Sequence, residues 1–143
     1  MLWTAGAVRT VLPNGLTVLV QPMPDAPAAA IVTRVRAGFF DEPDHWAGIS
    51  HVLEHMFFKG TPTRGVGEIA RATKSAGGYL NAATSYDYTT YYAVLPARGL
   101  PAAMAIQSDA LRNAAIDAEE LRREIQVIIE EANRKQDTPS AVA

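Results

Sequence analysis

Apolar and polar residues alternate at the start of the chain and change to a helical period in its middle. Residues 8–12 and 16–21 alternate and flank Pro13-Asn14-Gly15, which predicts a β-hairpin. Residues 28–37, with Ile31, Val32 and Val35, predict a third strand. Trp46, Ile49, Val52, Leu53, Met56 and Phe57 then share one arc of a helix over 46–58, the expected core stripe. Residues 60–65, with Pro62, read as a loop, and 66–76 as a second helix ended by Gly77-Gly78. Strands follow at 79–83 and 88–95, then helices at 100–113 and 117–135. In the last helix Leu121, Ile125, Ile128 and Ala132 form the apolar stripe, with Asp117 as N-cap and Glu120 as its capping-box partner. Residues 136–143 read as a loop or frayed tail. The expected fold class is α+β: an antiparallel or mixed sheet with helices packed on one face.

The polar residues on this framework carry the chemistry. His51-Val52-Leu53-Glu54-His55 reads H-x-x-E-H, the inverted zinc-peptidase motif. On a helix the two histidines are i and i+4, so both rings project from one face and can reach one metal. They lie opposite the apolar arc, with Glu54 between, which argues against satisfied core histidines. Glu54 is placed to take a proton from a water that zinc has brought to a pKa near ~7. Two histidines on a solvated face, where Lys, Arg and Glu are usual, are the bland alternative.

A catalytic zinc needs a third protein ligand and an open position. The chain has no cysteine, and its remaining histidine, His45, lies just before the motif helix. That leaves a carboxylate. Glu124 and Glu131 fall within the arc of Leu121 and Ile128, on the spacing of a packed seam. Carboxylates on such a seam are costly unless paired or metal-bound. The pair is either a solvated edge or a cation site, with Glu131 the favoured ligand in the second case.

Bulk properties narrow the function classes. The 143 residues are about one average domain, 48% hydrophobic, with a net charge of −2. No basic patch or aromatic-interleaved Lys/Arg run points to nucleic acid. No apolar run approaches the ~20 residues of a membrane span. No charged n-region with an apolar h-region opens the chain. A soluble protein is expected, cytoplasmic or, if a signal peptide has been removed, periplasmic.

Several spaced motifs together resemble the pitrilysin/insulinase family of zinc peptidases, which includes the mitochondrial processing peptidases. They are Asn14-Gly15-Leu16, Ala37-Gly38-Phe39-Phe40-Asp41-Glu42-Pro43, Gly48-Ile49-Ser50 leading into His51, and Phe58-Lys59-Gly60-Thr61. Gly78-Tyr79-Leu80-Asn81-Ala82 and the Glu124/Glu131 pair complete the set. The resemblance covers about residues 8–139. It implies one zinc per chain, held by His51, His55 and Glu131, with Glu54 as general base. It makes Glu124 the carboxylate that orients a ligand histidine, a role also expected because ligand histidines usually donate their other N–H. It places Asn81 and Ala82 on the strand along which a peptide lies. The alternative for Asn81 is a turn role beside Gly77-Gly78. Phe58, i+4 from Glu54, reads either as a pocket wall beside the metal or as packing under the following loop.

The resemblance further implies that residues 1–143 are the N-terminal part of a zinc-binding peptidase domain, one half of a two-half endopeptidase. The segment alone is expected to bind zinc and to cleave peptides poorly or not at all. An open sheet edge invites homo- or hetero-oligomers. The alternative function is a non-catalytic structural or peptide-binding subunit of the same fold, against which the intact His51, Glu54, His55 and Glu131 argue.

Overall fold

The computed structural model describes residues 6–136. Strands β1 (Val8–Val11) and β2 (Thr17–Val20) pair as the expected antiparallel hairpin, with Val8 opposite Val20. Asn14 shapes the turn by accepting the Leu16 N–H at 3.1 Å. The alternation of this hairpin buries neither face among the described residues, and Leu19 is 73% exposed.

Three further strands form a separate antiparallel sheet in the order β3 (Ala28–Val35), β5 (Thr89–Pro96), β4 (Tyr79–Thr84). Every pairing is antiparallel, so of the two expected kinds of sheet the described residues form the antiparallel one. Tyr91, Ala93 and Leu95 of the central strand are buried on one face. Helices α1 (Ile49–Met56), α2 (Glu68–Ser75) and α3 (Leu100–Asn113) pack on that face. Phe57, Ile69, Tyr91, Ile106 and Ala110 form the buried cluster, and the rings of Phe57 and Tyr91 lie 4.3 Å apart. The opposite face carries exposed Val32, Tyr79 and Asn81. Helices on one face of a sheet is the architecture that the hydrophobic pattern predicts.

Helix α1 is shorter than the expected 46–58. A separate 3₁₀ turn, Asp44–Trp46, precedes it, and Gly48 at φ +93 breaks the backbone between the two. The Glu42 carboxylate caps the new start, accepting the N–H groups of Gly48 at 2.6 Å and Ser50 at 2.7 Å. Burial would push this carboxyl up, but these hydrogen bonds hold it below its ordinary value. The core stripe is corrected as well: Trp46 and Leu53 are exposed. Helix α1 is covered by β4 and by α4 (Ala118–Gln136), so its buried arc runs through Ser50, Glu54, Met56 and Phe57.

Helix α4 begins as expected. The Asp117 side chain accepts the Glu119 and Glu120 N–H groups at 2.9 and 3.0 Å. The Glu120 carboxylate turns to Arg123 and Lys59 rather than back to the cap. Ile125 and Ala132 of the expected stripe are exposed, because the helix docks along Leu121, Glu124, Ile128 and Glu131. The helix extends through Gln136, and residues 137–143 of the expected tail lie outside the described residues.

Between α1 and α2 the 60–65 loop is tied to α3 through Asp109. Its carboxylate accepts Thr61 at 2.7 Å and Thr63 at 2.9 Å, pairs with Arg64, and takes Asn113 at 2.8 Å. The hydrogen bond from Asn113, then those from Thr61, Thr63 and Arg64, hold Asp109 well below the usual carboxylate range. The stability it contributes is therefore full above the unfolded value of about 3.9 and is lost as pH falls below it. Asp109→Asn should lower the melting temperature at pH 7 and flatten the acid limb of the stability profile below about pH 4. Denaturation melts at the two pH values check this, and superimposable wild-type and variant profiles would rule out the tie.

Candidate metal centre

Helix α1 and helix α4 bring three donors to one point. His51 and His55 stand one turn apart, with their rings edge-on at 4.7 Å. Their Nε2 atoms face each other at 3.1 Å. Glu131 Oε2 lies 3.7 Å from His51 Nε2 and 3.8 Å from His55 Nε2. Ligands bound to zinc at ~2.0–2.1 Å in tetrahedral geometry lie roughly 3.3–3.4 Å apart. The three observed separations bracket that value. Two imidazole nitrogens and one carboxylate oxygen are also a donor set that zinc accepts. His45 stands apart, exposed beside Trp46.

The charge around these donors favours a cation. Glu124 Oε2 lies 2.9 Å from His55 Nδ1, and Lys59 pairs with the other Glu124 oxygen. Burial would raise the Glu124 carboxyl, but hydrogen bonds from Lys59 and His55 hold it below its ordinary value. An ionised carboxylate only accepts, so His55 Nδ1 donates to Glu124 and the Nε2 edge of the ring faces the other donors. Nitrogens facing at 3.1 Å need a proton or a cation between them.

Glu54 is separate from this trio. It is buried under β4, where the Thr84 hydroxyl donates to its Oε2 at 2.5 Å. Burial first, and the Glu54 charge second, push the neighbouring Tyr91 hydroxyl up to about 12. Strand β4 is an edge of its sheet. Ser85 N–H bonds Tyr88 C=O just beyond the strand, so by antiparallel alternation the main-chain groups of Leu80, Ala82 and Thr84 face the open side. The Asn81 side chain, exposed, accepts the Ala82 N–H there at 2.9 Å. Phe58 is half-buried, edge-on to Phe57 and packed against the core cluster.

Sequence reasoning gave no role to two residues of this arrangement. Lys59 continues the 51-55 spacing by four more residues, a signal that could have found it. Thr84 shares the inward side of β4 with Ala82, but nothing local tells which helix residue it meets.

The sequence profile of the insulinase peptidases, family M16, matches residues 17–143. The chain belongs to this family. Among the insulinase peptidases, it is 38% identical over 131 residues to an uncharacterized zinc protease of Mycobacterium tuberculosis, covering 92% of this chain and 30% of that one. A protease from Helicobacter pylori superposes with a TM-score of 0.90 at 27% identity, over 95% of this chain and 33% of that one. The first half of the periplasmic protease PqqL from Escherichia coli superposes with a TM-score of 0.84 at 31% identity, over 92% and 30% of the two chains. The chain thus spans about a third of the length of each of these three relatives.

The Glu124 contact predicts its own test. Glu124→Gln should weaken zinc binding by about 10–100-fold, the usual effect of losing a carboxylate behind a ligand histidine. Lys59→Met should weaken it in the same direction. Competition titration with a chromogenic chelator measures both, and an unchanged Kd in Glu124→Gln would contradict the reading.

Proposed function

We propose that this chain is the metal-bearing front part of a zinc-dependent endopeptidase. One zinc per chain is held by His51, His55 and Glu131, with Glu124 orienting His55. The observation that carries the reading is the convergence of those three donors from two helices, with a buried carboxylate, Glu54, beside them and outside the donor set. The zinc protease name of the mycobacterial relative supports it. When bound, zinc polarises a carbonyl and lowers the pKa of a water to about 7.

The remaining roles belong to side chains and backbone. Glu54 is the general base: it takes the proton from the attacking water and delivers it to the leaving amine. The peptide lies extended on the open edge of β4, bonding to the outward main-chain groups of Ala82 and its neighbours. Asn81, already bridging to the Ala82 N–H, exchanges that bond for one to the substrate. Phe58 closes the wall between core and site. Main-chain pairing of this kind reads extended shape more than sequence. The chamber that holds the substrate is completed by the rest of the parent protein, in two halves, so these residues alone cleave poorly.

The test uses the full-length parent. Glu54→Gln should retain zinc and lose peptide hydrolysis by at least the ~10²–10⁴-fold typical of a general base. Glu131→Gln should lose both zinc and activity. Substantial hydrolysis by a contaminant-free Glu54→Gln protein would remove Glu54 from the base role. Full zinc retention in Glu131→Gln would remove it from the ligand set.

A further inference from the structure

We propose that Thr84 is the positioning residue for Glu54, tying the base to the strand on which the substrate lies. The inference rests on the reading of Glu54 as general base and adds a residue to it. Thr84 ends strand β4, and its hydroxyl donates to Glu54 Oε2 at 2.5 Å across the packed contact between β4 and α1. Glu54 is only 9% exposed, so its carboxylate has little water to satisfy it and the Thr84 hydroxyl is a large part of its environment.

Two consequences follow from this geometry. A carboxylate with one oxygen fixed has the other, Oε1, presented in one orientation, ready to accept a proton. A hydroxyl both donates and accepts, so Thr84 can stay bonded whether Glu54 is ionised or carries the proton. The main-chain alternation of β4 places the Thr84 N–H and C=O on the open edge, like those of Leu80 and Ala82. One residue therefore holds the base with its side chain and offers its backbone to an extended peptide. A peptide paired along β4 is held in register with Glu54 through Thr84. Glu54 lies on the inward side of this strand, whereas Asn81 lies on its outward side.

Thr84→Val keeps the β-branched shape and removes the hydroxyl. In the full-length protein it should lower kcat by about tenfold or more, towards the ~10² that a misplaced catalytic group costs. KM for the peptide and zinc content should stay unchanged. Thr84→Ser, which retains the hydroxyl, should recover most of the rate. Because the hydroxyl acts through Glu54, adding Thr84→Val to Glu54→Gln should cause no further loss. An unchanged kcat in Thr84→Val, or an additive loss in the double variant, would overturn the proposal. So would a Thr84→Ser protein as slow as Thr84→Val, since the role would then be packing. A Glu54→Gln protein that still hydrolyses peptide would sink the base reading itself, a result separate from any of these.

Discussion

Helix α4 meets helix α1 along a seam that carries ion pairs as well as the half-buried Leu121 and Ile128. Along its docking seam Glu124 meets His55 and Lys59, and Glu131 approaches both His51 and His55. Ile125, Val127 and Ile129 on the same helix are more than a third exposed. Removing carboxylates from water is costly unless partners replace the lost hydration. Lys59 and the His55 ring do this for Glu124. For Glu131 the partners stand at 3.7–3.8 Å, longer than a hydrogen bond. A cation between Glu131 and the two Nε2 atoms would complete the compensation. An ion held by these donors would also stabilise the seam that positions them, which would link helix docking to metal binding.

The sheet supplies the other coordinate of the site. Phe57 follows the motif helix directly and packs, with its ring tilted, on Tyr91 of the central strand, one of the contacts that hold α1 against the sheet. It brings Glu54 under the end of β4, within reach of Thr84. Because β4 is an edge of the sheet among the described residues, the Glu54 carboxylate and the outward main-chain groups of β4 lie side by side. His51, His55 and Glu54 on α1, Glu131 on α4 and the edge strand β4 therefore meet where an aromatic pair and an ion-paired seam join their elements.

Much of this was legible in the sequence because local rules coincide with the fold. The i,i+4 histidines share a face on any helix, and the seam spacing of Glu124 and Glu131 survives as an interhelical contact. The Asp117 cap and the span of α3 follow from local chemistry alone. What was not legible depends on distant residues. The start of α1 is set by Glu42, six and eight residues upstream of the N–H groups it caps. Leu53 and Ile125 have core character but face outward, because α1 packs on β4 and α4 through other residues and α4 docks along Leu121, Glu124, Ile128 and Glu131. The Thr84–Glu54 bond joins residues thirty positions apart, and no periodicity within β4 reveals it.

The central claim is that one metal takes its ligands from both helices. X-ray absorption at the zinc edge of the loaded chain tests it most directly. The account predicts a four-coordinate shell of two imidazole nitrogens at about 2.0–2.1 Å with carboxylate and water oxygens at about 2.0–2.2 Å. A six-coordinate oxygen shell, or one with fewer than two imidazoles, would contradict it.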